Sequence, residues 1–214
     1  MRIKVDISIK ASPIVKRFVF ADFILFAGWG FATPIFAVFV LQEIEAATLI
    51  TVGVVSAIFF IVKSVIQIPV ANFLDATRGE KDDFYTAMVG TILTAGAAFG
   101  FTLVESVPQL YFVQFLHALG FGIYIPAWLG MFSRHHDQNH DSLDWAFSST
   151  AVGIATGVSG VIGSVLASQF GFDTVFIIVA LFSLLTTVTL LFIPKLIFPP
   201  SKKGFKIPQA HHKP

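Results

Sequence analysis

Six long apolar runs dominate the chain: residues 18–41, 48–74, 84–104, 110–132, 145–170 and 175–193. A helix needs about 17–25 such residues to cross a ~30 Å hydrocarbon core, and each run meets that length. The other structure that spans lipid is a closed barrel, whose strands alternate polar and apolar positions over ~10 residues. These runs do not alternate. The pattern predicts an all-α membrane protein with six transmembrane helices. Polar and aromatic residues interrupt the runs at helical steps. The first carries Asp22, Phe26, Trp29 and Thr33; the second Ser56, Phe60, Lys63 and Gln67; the fourth Gln114, His117, Phe121, Tyr124 and Trp128. Steps of three and four keep each set on one helix face. In lipid such a face turns toward the bundle interior or a cavity.

Two of these runs share a motif. The first contains Gly28-Trp29-Gly30-Phe31-Ala32-Thr33-Pro34, and the fourth Gly120-Phe121-Gly122-Ile123-Tyr124-Ile125-Pro126. The copies lie 92 residues apart and are separated by three spans, so the second crosses in the opposite direction. That predicts an inverted 3+3 repeat, with units of about residues 18–104 and 110–194. Such repeats occur in secondary transporters. Glycine lets helices approach closely, and proline frees a backbone carbonyl and can kink the span.

Composition and charge sharpen this picture. Hydrophobic residues make up 55% of the 214 residues and charged ones 13%, about half the usual charged share of a soluble domain. Mean hydropathy is +0.80. What remains outside the spans is short connections and two tails. No soluble catalytic domain, no enzyme activity and no cofactor are therefore expected. The net charge of +1 argues against a nucleic-acid partner. The chain has no Cys, hence no disulfide, thiolate catalysis or Cys-ligated metal. Basic residues collect in the tails at 1–17 and 195–214, and as Arg78, Lys81 and Arg134 after the second and fourth spans. The other connections carry Glu43, Glu45, Glu105 and Asp173 without Lys or Arg. Basic segments stay inside. Both tails are thus expected in the cytoplasm, with a six-helix domain at 18–194 crossing the plasma or inner membrane. The first span is too long for a signal-peptide core and is expected to be retained.

Asp22 and Lys63 are ionisable groups inside apolar runs, where an unpartnered charge costs several kcal/mol. Lys63 is placed ~15 Å from the cytoplasmic end of its span; it either snorkels or reaches toward Asp22. Asp22 is either a functional carboxylate or an interfacial one held by Lys16 or Arg17. His117 suits a proton relay, or hydrogen-bonds a neighbouring span. Gly153, Gly157 and Gly160 form a small-residue face on the fifth span, expected to pack against another helix. Gly157-Val158-Ser159-Gly160 has the form seen around an intramembrane serine nucleophile. The later His211 and His212 lie in a polar tail, and His117 precedes the serine, so protease chemistry is not expected. His135, His136, Asp137, His140 and Asp141 are read as a solvated turn rather than a metal site.

Two segments carry a resemblance to a known family. Ala71-Asn72-Phe73-Leu74-Asp75-Ala76-Thr77-Arg78-Gly79-Glu80-Lys81 is similar to the G-x-x-x-D-x-x-G-R-[RK] loop of the major facilitator superfamily. Asp75 is kept, Ala71 replaces the leading glycine, and Gly79 arrives one residue late. Gln114-Phe115-Leu116-His117-Ala118-Leu119-Gly120 resembles the R-x-x-x-G-x-G of that family's fourth helix, with Gln114 at the arginine position. From Phe18 to Ile193 the chain resembles one six-helix half of such a transporter. The resemblance implies a gating contact at Asp75, Arg78 and Lys81. It also implies secondary active transport of a small solute. Solute binding and coupling would fall to Asp22, Phe26, Trp29, Lys63, Gln67, Gln114, His117, Tyr124 and Trp128. Full-length members have two parallel halves, so the expected partners, besides lipid and solute, are a second copy or a second half-transporter chain. The alternative is a six-span substrate-binding or structural subunit of a heteromeric transporter. The A-x-x-x-A docking motif of vitamin-importer subunits is missing from Ala21, Ala27, Ala32 and Ala37.

Overall fold

The computed structural model describes residues 13–77, 80–135 and 141–192. Among them seven helices follow in order: α1 Pro13–Ala32, α2 Phe36–Glu43, α3 Leu49–Ala76, α4 Lys81–Phe101, α5 Val107–His135, α6 Asp141–Phe170 and α7 Phe172–Leu191. Five are long and apolar enough to span a membrane, and α1 with α2, bent by 42° at their break, makes a sixth when the pair is taken as one span. The chain is a multi-pass membrane protein of all-α architecture.

The first span differs from the continuous helix expected over 18–41. It begins at Pro13 and breaks at Thr33-Pro34-Ile35. Pro34 has no N–H to donate, so the α-helical ladder cannot continue through it. Thr33 closes the last turn with both its N–H (3.0 Å) and its hydroxyl (2.8 Å) on the Trp29 carbonyl. The matching Pro126 lies inside an unbroken α5, so the repeated proline interrupts only one of its two spans. Thr48 starts α3 through a reciprocal cap with Thr51. Gly171 alone connects α6 to α7, at φ +82°, a conformation that L side chains rarely adopt.

Helix packing follows the repeat. α1 packs on α6 and α7, α5 packs on α3 and α4, and α4 packs on α7. Exchanging the first three spans with the last three maps this set onto itself. The shared glycines show how. A Cβ on Gly28 would lie 2.6 Å from Phe182 Cβ on α7, and one on Gly120 would lie 2.8 Å from Thr94 Cγ2 on α4. A Cβ on Gly30 would meet Thr156 Cα on α6 at 2.8 Å, and one on Gly122 would meet Ile66 Cβ on α3 at 2.9 Å. The first glycine of each copy seats one supporting helix and the second glycine seats the other. Between α4 and α7, the hydroxyls of Thr91 and Thr187 lie 2.8 Å apart in a buried seam with Ser183 and Thr186. Small and hydroxylated residues are how helices associate where lipid supplies no hydrophobic drive.

The small-residue face of α6 is divided. Pro34 packs on Gly160 (3.3 Å to its would-be Cβ), and Gly163 sits against the backbone of Phe31. A Cβ on Gly153 or Gly157 would meet nothing within 4 Å. Asp144, Ser148, Ala155 and Ser159 lie on the buried face of α6, and Gly153 and Gly157 lie on its exposed face. α3 and α6 flank the bundle and keep wide apolar faces uncovered, among them Ile68 and Val161.

Candidate functional site

The two polar-aromatic stripes on α1 and α5 face each other in antiparallel register. Trp128 Nε1 donates to the Phe18 carbonyl (3.4 Å). One turn further, the Tyr124 hydroxyl donates to Asp22 Oδ1 (3.1 Å). The next level pairs Phe26 with Phe121, ring centres 5.9 Å apart. Above it, Trp29 stacks on His117 with centres 3.7 Å apart and planes 11° from parallel. Each step along α1 is answered by an opposite step along α5, as the crossing directions of an inverted repeat require.

At the Trp29–His117 level the site widens and takes in α3. Phe59 lies on His117 at 4.6 Å between ring centres. Lys63 places Nζ 5.0 Å from the centre of Phe59 and 5.2 Å from that of Phe60. The result is a column from α1 through α5 to α3: indole, imidazole, phenyl, ammonium. His117 Nδ1 lies 3.3 Å from Gln114 Oε1. Among the described residues, Trp29 Nε1 and His117 Nε2 are buried without a hydrogen-bond partner.

Two adjoining cavities of about 270 and 210 Å³ open at this level, and both are lined by Trp29, Thr33, Phe59 and His117. Lys63, Phe26, Phe121 and Thr156 of α6 line the larger; Ser56, Phe60 and Gln114 line the smaller. Their size approaches the lower end of small-molecule sites, about 300 Å³. Lys63 falls at the middle of the 28-residue α3, so the cavity lies at mid-membrane depth.

The candidates thus divide by position. Phe26, Trp29, Lys63, Gln114 and His117 meet at the cavities. Asp22 and Tyr124 form a separate buried pair about 10 Å along the helix axes, seven residues away on each helix. Trp128 lies beyond that pair, beside Phe132 and Trp145. Gln67 is half-buried on α3, one turn beyond Lys63. Lys63 does not reach Asp22. Lys16 and Arg17 do not hold Asp22 either: the Arg17 guanidinium donates to the Phe192 carbonyl (3.2 Å). Phe59 and Thr156 went unnoticed in the sequence. Phe59 is four residues before Lys63, the helical spacing at which an aromatic ring and a cation meet; Thr156 carries no such signal.

At the end where the α3–α4 connection meets the last turn of α5, Arg134 bridges buried Asp83 and also reaches Glu80 (3.5 Å). His135 Nε2 lies 3.6 Å from Glu80, and its Nδ1 contacts the Met131 carbonyl. Asp75, at the end of α3, is exposed beside this cluster and lines a cavity with Asp83 and Ser133. Lys81 opens α4. Arg78 lies outside the described residues, as do His136, Asp137 and His140 of the possible metal turn. Among the described residues no three His, Asp or Glu side chains converge as a metal would require. In the sequence Arg134 stood out only as a topology charge, because its partners Glu80 and Asp83 lie about fifty residues earlier.

A family model described as the Major Facilitator Superfamily matches residues 18–212. The fold is similar to a solved structure described as the "in meso crystal structure of the POT family transporter PepTSo", with a TM-score of 0.61 and 16% sequence identity. The match covers 89% of this chain and 39% of that one. At this identity the likeness concerns the fold. Comparison with curated proteins found no match.

Proposed function

The chain belongs to the major facilitator superfamily, and from that premise we propose that it moves a small solute across the cell membrane by secondary active transport, as one of two six-helix halves. The second half is a copy of this chain or a separate six-helix chain. The two halves rock about a shared cavity to give alternating access. Both termini face the cytoplasm, on the strength of the basic tails and connections.

One observation carries the reading. A mid-membrane cavity holding Lys63 is walled by α1, α3, α5 and α6 and is only partly enclosed by this chain. A charged group in a partly open cavity within lipid is costly. A second half related by an axis along the membrane normal closes it, and a two-fold dimer is the simplest way to supply one. In this scheme Phe26, Trp29, Lys63, Gln114 and His117 hold the solute. The Asp22–Tyr124 pair takes the coupling proton. Asp75, Lys81 and the Arg134 cluster form the cytoplasmic gate.

Native mass spectrometry from lipid nanodiscs tests the assembly, and solute counterflow in proteoliposomes tests the transport. A dimer near twice 23.3 kDa with saturable counterflow is expected. A monomer that neither pairs with another six-helix chain nor exchanges solute overturns the proposal, and makes the chain a binding or structural subunit.

A further inference from the structure

The charge balance of the cavity narrows its solute. Lys63 is the one Lys, Arg, Asp or Glu among the residues lining the two cavities. Among the described residues no carboxylate lies within salt-bridge distance of its ammonium, which rests instead on the faces of Phe59 and Phe60. It stands about 20 Å from either end of its helix at 1.5 Å per residue. A four-carbon stem cannot carry the charge from there to a headgroup layer. The nearest protein carboxylate on the α1–α5 ladder, Asp22, is engaged by Tyr124 and lies a further ~10 Å along the axis. A cation fixed at mid-membrane depth without a counter-ion is the most expensive unmatched group in the site. Two more polar atoms of residues in the same walls, Trp29 Nε1 and His117 Nε2, are buried without a partner among the described residues. The rest of the lining is largely apolar and aromatic.

We infer that the solute is a small organic anion, whose carboxylate pairs with Lys63 and whose apolar or planar body lies among Phe26, Trp29 and Phe121. The ligand supplies the counter-ion that the protein withholds. A carboxylate also offers acceptors to donors on the cavity wall, and bonds between ionised partners are the stronger kind. Cation–π contact with Phe59 and Phe60 holds the ammonium toward the cavity while it is empty.

This inference rests on the transport reading for its purpose, and its test reads binding separately from transport. Radiolabelled benzoate is equilibrated with the full chain in lipid nanodiscs, with benzamide and benzylamine as neutral and cationic competitors of the same shape. The anion site predicts saturable benzoate binding, with both competitors weaker by at least about tenfold. Lys63→Gln should weaken benzoate by a similar factor and leave benzamide unchanged, while Lys63→Arg should keep the preference. The arginine variant carries the test if the glutamine variant does not fold. Equal competition by benzamide, undiminished benzoate binding in Lys63→Gln, or no benzoate binding at millimolar concentration overturns the inference. Benzoate counterflow in proteoliposomes separates the two readings. Binding without exchange keeps the anion site and removes the carrier; exchange without anion preference keeps the carrier and removes the anion site.

Discussion

Gly120→Ala puts the packing argument under direct load. Gly120 lies where α4 and α5 touch backbone to backbone. An added Cβ would lie 2.8 Å from Thr94 Cγ2, 2.9 Å from Thr94 N and 3.0 Å from the Gly90 carbonyl oxygen. Two of these three atoms are main chain, so no rotamer change clears them. The helices must separate by roughly half an ångström or more, loosening contacts along the interface, and such overpacking costs about 1–3 kcal/mol. The control is Gly157→Ala, whose Cβ meets nothing within 4 Å. Both changes gain the same helix propensity, about 1 kcal/mol. Gly157→Ala is therefore expected to be neutral or stabilising, and Gly120→Ala less stable than it by about 1–3 kcal/mol. Reversible unfolding of the two variants in mixed detergent–SDS micelles, followed by circular dichroism, measures this difference. Equal stability of the two variants would refute the claim that close α4–α5 contact depends on Gly120.

Three further outcomes follow from the same geometry. Tyr124→Phe removes the hydroxyl that donates to Asp22 and should cost about 1–3 kcal/mol in the same unfolding assay, the penalty of a buried group left unpaired; no change would mean that water replaces the hydroxyl. Asp22→Asn should abolish accumulation driven by a pH gradient while leaving counterflow intact, and gradient-driven accumulation surviving in this variant would remove Asp22 from proton coupling. Arg134→Gln strands Asp83, which is 1% exposed while Arg134 is 38% exposed. Breaking a fully buried pair costs about 3–5 kcal/mol, and half-exposure of the arginine reduces this to about 2 kcal/mol. Pairing it with Asp83→Asn should recover part of the loss, and strict additivity in the double variant would mean that the two side chains do not interact.

The sequence was most legible where the physics is local. Hydropathy over about twenty residues is enough to place a helix in lipid, so the six spans could be read directly. Their ends were less so, since α4, α5 and α6 run on past the apolar residues into polar ones. Helical periodicity likewise put Asp22, Phe26 and Trp29 on one face and His117, Phe121 and Tyr124 on another. It could not show that the two faces oppose each other. The proposed gate was partly legible: Asp75 stood out by resemblance, whereas the Arg134–Asp83–Glu80 cluster joins segments about fifty residues apart.

By itself, the sequence determined an all-α membrane domain and an inverted repeat marked by Gly-aromatic-Gly-x-x-x-Pro, and the resemblance of residues 71–81 and 114–120 pointed to the family. Each follows from properties carried within one helix or shared by two aligned copies. Tertiary structure alone decided that Tyr124, not Lys16 or Arg17, partners Asp22, and that no carboxylate among the described residues lies beside Lys63. It also decided that the helix breaks at Pro34 and runs on through Pro126, and that Gly160 packs while Gly153 and Gly157 stay open. These depend on the distance and rotation between helices. Those are set by backbone contact at glycines and by which helix each glycine meets, and no window along a single chain contains that information.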